Sequence, residues 1–249
     1  VTAAAWVEEV LRRCAAGGVD LGRPFALHAF HADAPRSEWL ECFGLEDPLA
    51  LVLGNTGALW PRFLDALRSD GELRERAHPL DDYVERVVLG ALTEVPVERI
   101  VYWGHHRTER VVPLQRLARA AGLAELGPAH LSVHPEHGPW IGLRAVVVFA
   151  APASELQRLP PPPSRCSGCP APCVPALARA LSLSQGGEPE TPRPLGWTPT
   201  QRAWLAVRDA CPVGAQARYG EHQLHYHYTK DRGTLLRALA AEPLKTPRP

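Results

Sequence analysis

A chain of 249 residues can bury one sizeable core and carry a small appendage, and 45% hydrophobic with 22% charged residues is an ordinary globular composition. Lys+Arg and Asp+Glu are both 27, so the formal net charge is zero, which weighs against nucleic acid or an anionic membrane as partner. No apolar run approaches the roughly 20 residues a membrane-spanning helix needs, and the first residues carry acids without a cleavage-site pattern, so a soluble, cytoplasmic protein is expected.

Trp6, Val7, Val10 and Leu11 recur at helical spacing and predict an amphipathic helix over 3–16, ended by Gly17-Gly18. Residues 24–30 (PFALHAF) and 49–53 (LALVL) read as strands, the second a continuous apolar run of the buried kind. Asn55-Thr56-Gly57 reads as a turn, with Thr56 placed to cap a helix running to about Arg68. Residues 80–94 predict a helix whose apolar face holds Leu80, Tyr83, Val84, Val87 and Val88. A strand over 98–103 follows, then a helix over 112–121 closed by Gly122, then strands near 129–133 and 140–149.

Composition changes at 159–164 (LPPPPS), a stiff extended linker. Three parts result: a core over 1–158, a cysteine-rich segment over 159–235 that returns to the core, and a flexible tail over 236–249. Residues 184–200 read as an exposed Gly/Pro-rich loop, and 199–209 as a short helix. The order of elements is α+β without regular βαβα alternation. No GxGxxG follows a strand and there is no P-loop, which speaks against a standard dinucleotide or nucleoside triphosphate site. Neither GxSxG nor HExxH occurs, so hydrolysis has little support.

The cysteines carry the clearest chemistry. CSGCPAPC sets Cys166, Cys169 and Cys173 at x2 and x3 spacing, and DACPVGA sets Cys211 directly before Pro212. Ferredoxin-type iron–sulfur clusters take three thiolates from a compact loop and a fourth from a Cys-Pro. Here residues 174–210 stand between Cys173 and Cys211, where a ferredoxin loop has about three, and they read as an insertion. Loop closure over such a length adds little entropy cost. A four-thiolate structural zinc site uses the same residues, and free cysteines remain a third reading.

Histidines gather at YWGHHRTER (His105, His106), at HLSVHPEHGPW (His130, His134, His137) and at RYGEHQLHYHYTK (His222, His225, His227). The last three fit no single regular element, so lining a pocket or a subunit contact with Tyr219, Tyr226 and Tyr228 is expected of them rather than a metal. Gly138 permits close approach of backbone to a ligand. Arg144, inside an apolar strand, needs an anionic partner. An internal bridge to Glu125 or Glu136 and a clamp on a ligand carboxylate or phosphate both satisfy it.

LSVHPEHGPWIGLRAVVVF, with its His-Pro turn, its tryptophan and an arginine opening an apolar strand, resembles a segment of the cytosolic cobalamin-processing family, which decyanates and dealkylates cobalamins. RYGEHQLHYHY, LALVLGNTGALWPRFLDAL and HPLDDYVERVV are similar to further segments of that family, in order, across about 49–228. The cysteine motif, VVPLQRLARAAGL and HPEHGPW resemble epoxyqueuosine reductase, a related cobalamin-dependent iron–sulfur enzyme. Thr108 stands where that enzyme has its acidic proton donor, and a second cluster's cysteines are missing.

The resemblance implies a flavin-reductase/nitroreductase-like mixed sheet flanked by helices, with a small C-terminal cysteine-rich appendage. It implies cobalamin contacted by His134, Gly138, Trp140, Arg144, Arg218 and Tyr219. It also implies a [4Fe-4S] cluster on Cys166, Cys169, Cys173 and Cys211, with FMN or glutathione as a further cofactor. A reductase or glutathione would donate electrons, and an oligomer is compatible. Arg144 and Arg218 match arginines that bind glutathione carboxylates in the processing family, and Trp140 and Tyr219 would pack on the corrin. A tRNA-modifying enzyme and a non-catalytic cobalamin carrier with structural zinc are the rival functions.

Overall fold

The computed structural model describes residues 2–106, 111–155, 160, 162–185 and 196–241. Helix α1 (Ala3–Ala16) buries Trp6, Val7, Val10 and Cys14 on one face. It leads into β1 (Leu21–Ala26), a short helical turn α2 (His28–His31) and β2 (Pro48–Asn55). Three helices follow, α3 (Leu59–Ser69), α4 (Gly71–Glu75) and α5 (Pro79–Leu92), then β3 (Arg99–Trp103) and α6 (Leu114–Ala120). A two-stranded ribbon of β4 (Glu125–Leu126) and β5 (Ser132–Val133) precedes the long β6 (Gly142–Pro152). The chain ends in α7 (Cys173–Gln185), α8 (Pro199–Asp209), α9 (Glu221–Thr229) and α10 (Arg232–Ala240).

The central sheet has the order β1-β2-β6-β3. Side chains alternate across it with the period of two that a pleated strand imposes. Leu49, Leu51, Leu53, Val147 and Phe149 face one core with α1, α3 and α5, through Trp6, Phe63 and Val84. Ala50, Val52, Val146 and Val148 face a second core with α2 and α6, through Phe30 and Leu117. Both faces are covered, which explains why β2 is buried at every position and why its sequence shows no polar alternation. The class is α+β, with a central sheet flanked by helices.

Several expectations change in detail. The sheet is not mixed: every described strand pair in it, β1/β2, β2/β6 and β3/β6, is antiparallel. The first strand starts at Leu21 and stops at Ala26, since the Asp47 carboxylate takes the His28 backbone N–H at 3.3 Å and its ring Nδ1 at 2.7 Å and turns the chain into α2. Thr56 does not cap α3, whose N-cap position is Ala58. Its hydroxyl instead donates to Asp20 at 2.6 Å and accepts the Ala58 N–H, bracing the turn. Residues 236–240 are helical rather than part of a flexible tail, because Leu235 and Ala238 are buried and hold α10 against the body. Thr108 and most of 184–200 lie outside the described residues. No helix among the described residues is long and apolar enough to cross a membrane.

Candidate functional site

The stretch separating Cys173 from Cys211 is bridged by a helical hairpin. α7 starts at Cys173, α8 ends two residues before Cys211, and the two pack on each other. Ala180, Ala203 and Val207 form their common core with Leu177 and Trp204, and Trp204 Nε1 donates to Ser184 Oγ at 3.0 Å. A capping box starts α8, with Thr198 Oγ1 accepting the Gln201 N–H and the Gln201 side chain accepting the Thr198 N–H. A hairpin returns its two ends to the same place, so the fourth cysteine arrives beside the first three. Cys166, Cys169, Cys173 and Cys211 all line one small apolar pocket with Leu131 and Pro212.

All six cysteines are free thiols. Burial pushes the Cys166 thiol up to about 11, with the Glu125 carboxylate adding to it. Burial raises Cys211 too, against the Val213 backbone N–H, which favours its thiolate. Glu125 is not a partner of Arg144. Its carboxylate accepts the backbone N–H groups of Arg165 and Cys166 and the Ser164 hydroxyl, and so shapes the cysteine loop. A zinc ion with Zn–S bonds of about 2.3 Å would gather four thiolates to about 4 Å from one another. Among the described residues no three of these sulfurs lie that close together, the one such group of ligating side chains within 4.8 Å being Glu85, His105 and His106.

His134 and Gly138 close a tight hairpin through paired backbone hydrogen bonds of 2.9 Å. Gly138 (φ +55) and Gly214 (φ +71) meet back to back: a Cβ on Gly138 would lie 1.9 Å from Val213 O, and one on Gly214 2.2 Å from the His137 carbonyl carbon. The close approach foreseen at Gly138 is therefore made by the chain's own Cys-Pro-Val-Gly segment. It locks the His134 hairpin to the Cys211 loop. His134 Nδ1 accepts the backbone N–H groups of Glu136 and His137 at 3.2 and 3.3 Å, which places the neutral ring's proton on Nε2. Burial, with the His137 ring stacked at 4.8 Å, holds its pKa down at about 4.

His134 borders an open cleft of about 520 Å³ between α1, β1 and the hairpin, lined also by Asp20, Arg23, Gly122 and Pro135. Gly122 and Pro135 line a neighbouring groove as well, and that groove shares Val133 and Arg165 with the cysteine pocket. Cleft, groove and cysteine pocket thus adjoin one another.

The other expected contacts lie in a cluster around the start of β6. Arg144 is 13% exposed. Its Nε donates to Asn55 Oδ1 at 2.6 Å, and Asp81 stands 4.0 Å away. Burial works against its charge, with Tyr219 and Asp81 opposing. Trp140 is 1% exposed and packs with Leu205, Tyr219 and Leu224. Arg208, which the sequence did not single out, covers the Trp140 ring at 4.4 Å and donates to Pro139 O at 2.6 Å. Arg218 is held by Asp209 at 2.8 Å and Glu221 at 2.9 Å. The hydroxyl of Tyr219 and Nε2 of both Gln223 and His225 are buried without a hydrogen-bond partner among the described residues. Burial, reinforced by Arg144, keeps His227 well below its ordinary value. His222, His225 and His227 share α9 but do not converge as ligands.

These features define an α+β protein whose antiparallel sheet carries a cysteine-bearing helical hairpin beside a cleft. No protein-family model matches the chain, and no curated protein sequence matches it. Among solved structures it is similar to a Caenorhabditis elegans B12-trafficking protein, CblC, described as a human MMACHC homologue. The identity is 16%, the match covers 98% of this chain and 99% of that one, and the TM-score is 0.66. The resemblance to the cobalamin-processing proteins therefore extends to the fold over nearly the whole chain.

Proposed function

We propose that this protein binds cobalamin in the cleft beside His134 and reductively processes its upper ligand, drawing electrons through a [4Fe-4S] cluster on Cys166, Cys169, Cys173 and Cys211. The observation that carries the reading is the adjacency of cysteine pocket, groove and cleft, which share wall residues in turn. A ligand in the cleft would sit next to a redox centre, with the Gly138–Gly214 contact fixing their separation. The fold shared with a B12-trafficking protein supports the choice of ligand, since a nitroreductase-like α+β body is the frame the resemblance implies. The cluster, when bound, would supply single electrons; the chain's own part is to position it and to exclude water with Leu131 and Pro212.

His134 Nε2–H would then be a neutral donor to the bound molecule rather than a ligand to its cobalt, because its lone pair on Nδ1 is taken by two backbone N–H groups. Arg144 and Arg218 already have partners, so a glutathione or FMN cofactor would have to displace Asn55 or the Asp209/Glu221 pair to reach them. The reading places the protein in the cytoplasm, with a reductase or glutathione as donor.

The test is anaerobic purification followed by titration with hydroxocobalamin. The expected result is about four irons per chain, a visible absorbance bleached by dithionite, a shifted corrin spectrum and loss of iron in Cys211→Ser. A corrin spectrum that does not move overturns the whole reading. Zinc in place of iron, with a corrin shift that is redox-silent, overturns the electron-transfer half and leaves a carrier.

A further inference from the structure

A second group of ligating side chains lies away from the cysteines. Glu85, on α5, points its carboxylate at the end of β3, where His105 and His106 follow the buried Trp103 and the exposed Gly104. His105 Nε2 and His106 Nε2 stand 2.7 and 2.8 Å from the same oxygen, Glu85 Oε1. Consecutive residues of an extended strand point to opposite faces. Two adjacent imidazoles can share one target only because the chain bends at Gly104–His105. The bend is fixed on both sides: Gly104 N–H donates to Arg144 O at 2.9 Å, and a Cβ at Gly104 would lie 2.4 Å from the Leu114 side chain. The rings meet edge to face at 86°, with the Trp103 ring 5.7 and 6.0 Å behind them.

We propose that Glu85, His105 and His106 form a site for one borderline divalent transition ion such as zinc or ferrous iron. A lone carboxylate spreads two donors over its two oxygens at no cost, whereas here both imidazole nitrogens converge on one. Bonds of about 2.0–2.2 Å from one ion to neighbouring nitrogen and oxygen ligands leave those ligands roughly 3–3.5 Å apart. The two nitrogen–oxygen separations need to open by roughly half an ångström, within reach of side-chain rotation, and all three ligand atoms already lie within 4.8 Å of one another. Two imidazoles and one carboxylate select zinc, iron, cobalt or nickel over calcium and magnesium, which take oxygen. Side-chain exposures of 21% and 28% for His105 and Glu85 and 47% for His106 leave a path for the ion and open positions for water or a substrate oxygen. This site is independent of the cobalamin reading.

Cobalt(II) chloride is the probe, titrated into the full chain as purified. Cobalt at the cysteines gives intense thiolate charge-transfer bands; cobalt on two imidazoles and a carboxylate gives only weak ligand-field bands. The expected result is one equivalent with ligand-field bands alone, absent from a His105→Gln/His106→Gln variant and bound at least about tenfold more weakly by Glu85→Gln. Zinc chloride should also displace the Nε2 signals of two neighbouring histidines in the nuclear magnetic resonance spectrum of the unsubstituted protein, which needs no variant to fold. Equal cobalt uptake by the unsubstituted chain and the double variant, or imidazole signals that ignore zinc, overturns the proposal.

Discussion

Two neighbouring regions of this molecule handle their polar groups in opposite ways. At the Arg144 end, side chains hold one another: Asn55 takes Arg144, Arg208 covers Trp140, and the part-exposed Asp209 and Glu221 hold Arg218. At the cysteine end, backbone does the holding. Glu125 gathers N–H groups, two glycines touch, and the thiols and the His134 ring are left facing cavities. Residue type alone favoured the arginines and tryptophan as ligand contacts, but availability depends on whether a partner inside the chain has already been found. The first region is largely paired within itself, and the second leaves thiols and a histidine ring beside cavities.

The sharpest way to break that division is at the glycine contact. Alanine at Gly214 would place a side chain in the left-handed region and 2.2 Å from the His137 carbonyl carbon, so the backbone must part. Strain at such a position and forced separation of packed atoms together cost about 3 kcal/mol. Gly214→Ala should therefore lower the denaturation midpoint and, because the Cys211 loop is what moves, reduce iron retained per chain. Gly138→Ala should do the same from the other side. A Gly214→Ala protein with normal iron would mean that the hairpin and the cysteine loop are not coupled.

Much of this was legible before the fold. The apolar run of β2, the helix at 199–209 and the closure of α6 by Gly122 follow from local pattern, because periodicity and a left-handed glycine act over a few residues. The four cysteines were legible as a set from spacing. What joins them was not: 174–185 carries small and apolar residues without a strong stop signal, so α7 passed for part of an insertion. Arg208 was invisible because its meaning lies in a ring sixty-eight positions earlier in the chain, Trp140. The convergence of His105 and His106 on Glu85 was hidden likewise, since two adjacent histidines read as opposite faces until a bend is known.

At the Arg144 end, the expected effect is smaller and confined to stability. Asn55 is fully buried, accepts from Arg144 Nε at 2.6 Å and donates to Thr56 O at 2.6 Å. Asn55→Ala leaves a buried guanidinium short of an acceptor, at a cost of about 2 kcal/mol. Thermal unfolding should fall by about 4–8 °C in a chain of this size, while iron content stays at the level of the unsubstituted protein. Loss of iron together with stability would show that the two regions are one cooperative site after all.

The smallest effect concerns His134, and its sign can be worked out. An unfolded histidine titrates near about 6.5, and the folded ring at about 4. Between those values the unfolded chain binds the proton and the folded one does not, so stability is complete above the upper value and drains away as pH falls towards the lower one. The ring is partly exposed and borders an open cleft, so screening reduces the effect to the order of 1 kcal/mol. Its neighbours His137, Glu136, Asp20 and Arg23 act on the same ring, so the measurement has to be a difference. His134→Asn retains an acceptor near the place of Nδ1 for the Glu136 and His137 N–H groups and removes the titration. The unsubstituted protein should lose about 1 kcal/mol more than His134→Asn on going from neutral pH to pH of about 4. Parallel curves would mean that the Nδ1 contacts do not fix the neutral ring, and the assignment of its Nε2–H as a donor into the cleft would fall with them.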